Sequence, residues 1–198
     1  MAPARLAEQI GFLVEADKLK TISRRTPLSD SSRLENSAEH SWHLALAAIV
    51  LREYAPAGLD LLRVLELVTI HDLVEIDAGD TFAYDARGQE TRVARENAAA
   101  DRIFGLLPAE QAAHIRRLWE EFEAQQTRES RFANALDRLQ ALMLNSRSSG
   151  GSWRAHGVTR HQVLGRMAPV EHALPDVWPF VLGVIEAFCA SGVIQPSE

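Results

Sequence analysis

An all-α fold is what this sequence predicts, and three observations predict it. Apolar residues recur with a period of about 3.6 along most of the chain. Period-2 alternation, the mark of half-buried strands, is nearly absent. Proline, glycine and Ser/Asp clusters fall between the periodic runs rather than within them.

The elements follow in order. Leu6, Ile10, Leu13 and Val14 form the stripe of a first helix. Thr21 to Asn36 is polar, holds Pro27 and a Ser/Asp cluster, and reads as a loop that carries Arg24, Arg25 and Arg33. A second helix starts near Ser37, runs through WHLALAAIVLREY and ends before Pro56. A third covers Leu59 to Ile76, and Gly79 stops it, because glycine adopts a left-handed conformation without penalty. Thr81 to Gln89 reads as a loop, and a fourth helix spans Glu90 to Leu106. Pro108 suits the first turn of a fifth helix, where its missing N–H is not needed, and that helix runs to Gln126. A sixth spans Glu129 to Asn145. Ser146 to His156, with SSGGSW, reads as a turn or mobile loop, and two helices follow over Thr159–Pro169 and Val177–Cys189.

No repeat, low-complexity tract or clear boundary divides the 198 residues. The chain reads as one domain, with a core at about 19–145 and an accessory helical segment at 146–198. Its 46% hydrophobic content suffices for a core, and a net charge of −6 argues against a dedicated binder of polymeric nucleic acid. A single cysteine, Cys189, excludes an internal disulfide and reads as a buried apolar residue. The N-terminal stripe is interrupted by Glu8, Glu15, Asp17 and Lys18, so it is no signal peptide, and no apolar run reaches the ~18 residues of a membrane span. A soluble cytoplasmic protein is the expectation.

The sharpest chemical feature is His71-Asp72, late in the apolar run LLRVLELVTI. Polar side chains at the end of a buried helix need partners. Glu75 follows four residues after His71, on the same helical face, and Asp77 and Asp80 come next. So many acids at the negative end of a helix dipole are costly unless a cation is near. The bland alternative is a core histidine bonded to its neighbour beside a solvated acidic loop. His40 and His43 open the second helix one turn apart, and either suits a ligand. Asp137 sits among Phe132, Ala133, Leu136 and Leu139, where an inward carboxylate needs a charge partner or a metal, whereas an outward one pairs with Arg138 or Arg131. Two imidazoles and two carboxylates suit one divalent Mn, Fe, Co or Mg ion with open positions for water and a phosphate oxygen. Trp119, Phe122 and Trp42 occupy apolar helical positions and read as core, although Trp42, beside His40, could also border a base or sugar. His114, His156, His161 and His172 read as surface residues. No P-loop or GxGxxG fingerprint is present.

The order His40 … His71-Asp72 … Asp137, with the strings ENSAEHSWH, IHDLVEIDAGDT and LWEEFEAQQTRESRFANALDRLQ, resembles the HD-domain phosphohydrolases, in the branch that includes 5′-deoxynucleotidases. The resemblance covers about Leu19 to Asn145. It implies an HD-domain helical bundle and a metal held by His40, His71, Asp72 and Asp137. It implies that Glu75 activates water or protonates the leaving oxygen, and that Asp80 orients the water or a sugar hydroxyl. It implies a phosphate contact from Arg25 or Arg24, whose fork of donors suits phosphate. It also implies a nucleotide substrate and a homodimer. One departure is Arg138, where the family often has lysine. Alarmone hydrolases resemble a pattern with Asp directly after the glutamate, whereas Ile76 follows Glu75 here. Two-metal phosphodiesterases carry extra histidines between the HD pair and the last Asp, where this chain has only His114. The remaining alternatives are a different phosphorylated metabolite as substrate, or a sensor that binds nucleotide and metal without turnover; the intact Glu75 and Asp80 count against the sensor.

Overall fold

The computed structural model describes residues 3–196. The helices are α1 (Ala4–Ala16), α2 (Ser37–Val50), α3 (Leu61–Ile70), α4 (Glu75–Ala78), α5 (Ala86–Phe104), α6 (Ala109–Ala124), α7 (Arg128–Arg147), α8 (Gly151–His156), α9 (Arg160–Ala173) and α10 (Trp178–Ala190). Short 3₁₀ turns at Asp17–Thr21 and Arg52–Tyr54 finish α1 and α2. The all-α expectation therefore holds, with one addition. No helix of the described residues is long and apolar enough to cross a membrane.

The structure is organised around α7. Phe132, Ala133, Ala135, Leu136, Leu139 and Leu142 are all buried along it, and α2, α3, α6 and α9 each pack against it. Thr127 starts this helix with a capping box, its side chain accepting from the N–H of Ser130 while Ser130 reaches back. Such residues offer the first turn's unpaired N–H groups an acceptor, which fixes where the helix begins and so where Asp137 points. Helix α2 starts in the same way, with Asn36 and Glu39 as the reciprocal pair. That cap sets His40 in the first full turn.

Helices α9 and α10 contribute to the same core. Val163, Val170, Val181 and Ile185 belong to the same buried cluster as Leu44, Leu67 and Leu136. The chain end returns over α8 and α9, with Gln195 N donating to Val158 O and Arg160 N donating to Gln195 O.

Six expectations are corrected. Thr21 to Asn36 is not a loop: β1 (Ser23–Pro27) and β2 (Leu34–Asn36) pair antiparallel, with Ser23 opposite Asn36 and Pro27 opposite Leu34. The inward positions of this hairpin are Arg24, Thr26 and Glu35, so its period-2 pattern is polar against polar and invisible to a hydrophobicity count. The third helix is not continuous to Ile76. After Ile70 the bonds tighten to Leu73 N→Ile70 O, Glu75 N→Asp72 O and Ile76 N→Leu73 O, the i→i−3 pattern in which residues three apart eclipse one another. Asp72 and Glu75 are thereby stacked. Helix α5 begins at Ala86 rather than Glu90, because the Asp85 side chain accepts from Gly88 N and caps it. Part of the Ser146–His156 segment is helical, as α8. Trp42 is not core but 67% exposed, lying beside His43. Cys189 is half-buried on α10. Trp119 and Phe122 are core, and the four remaining histidines are exposed, as expected.

Candidate metal centre

Three elements bring four residues to one buried point. His40 comes from the start of α2, His71 and Asp72 from the tightened turn after α3, and Asp137 from the middle of α7. Ligand atoms of His40, His71 and Asp72 all lie within 4.8 Å of one another. Asp137 Oδ1 stands 3.0 Å from His40 Nε2. The residues singled out in the sequence as an ion's donors are thus brought together, and all four are buried.

The imidazoles are oriented from behind. His71 Nδ1 donates to the carbonyl of Val68 at 2.9 Å. With Nδ1 spent on that carbonyl, Nε2 is the nitrogen turned into the cluster. Nε2 is buried without a well-formed hydrogen bond, and Asp72 Oδ1 lies 3.0 Å from it. A buried polar nitrogen left without a partner costs about 1–3 kcal/mol. His40 Nδ1 contacts Gln140 Oε1 at 3.1 Å, and Gln140 Nε2 in turn donates to Glu35 Oε1 at 2.6 Å. His43 contacts Gln140 Nε2 at 3.2 Å instead of the cluster, so of the two candidate histidines on α2 it is His40 that faces the site. Two imidazole nitrogens and two carboxylates, with one nitrogen unspent, fit a borderline divalent cation.

The acids behave differently from one another. Burial pushes Glu75 well above the usual carboxylate range, and the charges of Asp72 and Asp80 add to it. Ser37 Oγ donates to Glu75 Oε2 at 2.6 Å, which leaves Oε1 as the oxygen without that partner. Asp80 follows Gly79, whose φ of 74° with ψ of 151° only glycine adopts without strain. Burial raises Asp80 too, and Asp72 adds to the rise. Burial opposes ionisation of Asp72, but His71, Arg24 and His40 outweigh it and hold its carboxyl down to about 2.

The two candidate arginines occupy different positions. Arg24 Nη1 donates to Asp72 Oδ2 at 3.0 Å, and Arg24 Nη2 is 3.9 Å from Asp137 Oδ1. A first cavity lies over the cluster, lined by Arg24, His71, Asp72, Glu75, Asp80 and Asp137. Arg25, the next residue on the strand, is exposed and lines a second cavity that adjoins the first. Trp42 borders neither of these cavities. Several site residues went unread in the sequence. Glu35 and Gln140 form the support behind His40. Ser37 holds Glu75. Arg166 on α9 lies 3.6 Å from Asp137 Oδ2. Gln140, three residues after Asp137 on the same helical face, was the one with a positional signal.

The charge pattern predicts how the metal-free protein responds to pH. Burial alone would lower His40, and so would Arg24, yet hydrogen bonds to Asp137 and Glu35 raise it to about 9. A raised histidine stabilises fully below 6.5 and loses that contribution as pH climbs to about 9. Raised Glu75 favours the fold in acid and loses that contribution as pH climbs above 4.5. Depressed Asp72 stabilises above 3.8 and stops doing so as pH falls toward about 2. Chelator-treated protein is therefore expected to be most stable in mild acid, its Tm falling as pH rises to 9 in scanning calorimetry. A Tm that climbs over that range would contradict the assigned network.

Comparison with known proteins comes to the same point. A crystal structure of a predicted metal-dependent phosphohydrolase from Magnetospirillum magnetotacticum MS-1 is similar over 99% of this chain and 100% of that one, with a TM-score of 0.94 and 47% identity. The 5′-deoxynucleotidase HDDC2 of Homo sapiens is 30% identical over 111 residues, 56% of this chain and 53% of that protein. Its Mus musculus counterpart is 30% identical over 109 residues, 55% of this chain and 53% of that protein. The chain thus spans about half the length of the curated relatives it matches. The family model described as HD domain matches residues 16–178, and with most of its length accounted for in this way the chain belongs to the HD domain family.

Proposed function

We propose that the protein is a metal-dependent phosphohydrolase acting on (deoxy)nucleoside 5′-monophosphates. The observation that carries this reading is the unpartnered His71 Nε2, set among His40, Asp72 and Asp137 and beside the buried carboxyl of Glu75. A divalent ion held by those four residues would supply Lewis acidity at phosphorus and acidify a water toward neutral pH.

The chain's own groups account for the rest. Arg24 presents a guanidinium to the phosphoryl oxygens while anchored on Asp72. Glu75, its Oε2 occupied by Ser37, offers the proton on Oε1 to the departing ester oxygen. Asp80, raised by burial, sits at the mouth between the two cavities and orients the attacking water or a sugar hydroxyl. The second cavity, walled by Phe82, Tyr84 and Trp153, has room and aromatic faces for the nucleoside half. Similarity to 5′-deoxynucleotidases over about half of their length supports a nucleoside 5′-monophosphate as substrate.

A panel of nucleoside monophosphates, triphosphates and cyclic nucleotides, incubated with Mn²⁺, Co²⁺ or Mg²⁺ and separated by chromatography to identify the products, tests the reading. Metal-dependent conversion of the 5′-monophosphates alone to nucleoside and phosphate is the expected result. Conversion only of triphosphates or cyclic nucleotides would replace the substrate assignment.

A further inference from the structure

Asp137 is flanked by positive charge on both sides. Its Oδ1 faces His40 Nε2 and, at 3.9 Å, Arg24 Nη2. Its Oδ2 accepts from Arg138 Nη1 at 2.8 Å and lies 3.6 Å from Arg166 Nη2. Two guanidiniums on one carboxylate oxygen repel each other. The Nε of Arg138 is a buried donor with no acceptor. Arg166 makes no hydrogen bond among the described residues, and its side chain is one-third exposed. Unspent guanidinium donors facing one space are the surroundings an oxyanion relieves.

The placement of Arg166 narrows which oxyanion. Arg24, Asp80, Thr81, Ala83 and Arg166 line both cavities, so they form the neck between the metal centre and the aromatic pocket. Arg24 enters from the β-hairpin and Arg166 from α9, outside the elements that carry the His and Asp motifs.

We propose that Arg166 is a second phosphoryl clamp, gripping the substrate's phosphate from the α9 side at the neck while Arg24 grips it from the hairpin side. The proposal rests on the phosphohydrolase reading and adds a residue to it. It makes the C-terminal helices part of the substrate site. The alcohol half of the ester then extends past Arg166 toward Tyr84, Trp153 and Met167.

The test compares wild type with Arg166→Ala and Arg166→Lys. Three quantities are read: affinity for inorganic phosphate by calorimetry, kcat and KM on a phosphomonoester, and Mn²⁺ affinity. Loss of a charge-assisted contact weakens phosphate binding and raises KM by about 10- to 100-fold in Arg166→Ala. Lysine recovers part of the loss, since it keeps charge but not the two-pronged geometry. Mn²⁺ affinity and Tm stay at the wild-type values. Unchanged phosphate affinity in Arg166→Ala overturns the proposal. So does a parallel loss of Mn²⁺ affinity, which would make Arg166 a support for Asp137 instead. The two readings fail separately. A wild type that hydrolyses no monoester yet binds phosphate through Arg166 sinks the hydrolase and keeps the clamp. A hydrolase indifferent to Arg166→Ala does the reverse.

Discussion

Asp137→Asn is expected to abolish metal binding and turnover together while leaving the protein folded. Asparagine keeps the volume and one acceptor oxygen, so Arg138 and His40 retain a partner. What it removes is the negative charge that His40, Arg138 and Arg166 stabilise against burial, holding this carboxyl well below its ordinary range. Loss of a mere supporting partner costs about 10–100-fold in metal affinity, so loss of a direct ligand should cost more. Alanine is the poorer choice, because leaving buried charges unpaired costs about 3–5 kcal/mol and confounds binding with unfolding. Metal content by mass spectrometry and phosphate release on the same preparation decide the matter. Asp137→Asn protein that keeps its metal and its rate would refute the ligand assignment.

Glu75→Gln carries the second large effect. The glutamine is isosteric and still accepts the Ser37 hydroxyl, but it has no proton to transfer. A positioned proton carrier contributes about 100- to 10,000-fold to a rate, so kcat should fall within that range while Mn²⁺ affinity stays unchanged. That split separates Glu75 from the ligands, whose loss lowers both. A Glu75→Gln variant with native kcat would remove Glu75 from the proton chemistry.

The residues behind these predictions were legible in the sequence to different degrees. His71-Asp72 stood out because polar groups close an apolar run, and Asp137 because its neighbours at helical spacing are apolar. The resemblance to HD-domain phosphohydrolases joined them to His40. The supporting residues were harder to read. Glu35 sits in a hairpin whose inward residues are polar, so nothing distinguished it from a solvated loop. Ser37 reads as an ordinary residue at a helix start until Glu75 is found beside it. Arg166 lies on α9, where the apolar residues give no strong facing direction, and its importance comes only from the packing of α9 on α7. Trp42 shows the opposite error: an aromatic at an apolar helical position, placed by the fold on the outside. The break after Ile70 was hidden because a tightened turn uses the same apolar residues as a helix.

On the function proposed above, His40, His71, Asp72 and Asp137 hold a single divalent ion on which hydrolysis depends. Metal-stripped protein titrated with Mn²⁺, with bound metal per chain and phosphate release from a nucleoside 5′-monophosphate followed in the same samples, puts this to the test. Both are expected to rise together and saturate at one ion per chain, and neither to rise in Asp137→Asn. Phosphate release that is indifferent to stripping, or a wild-type chain that binds no ion, would contradict it.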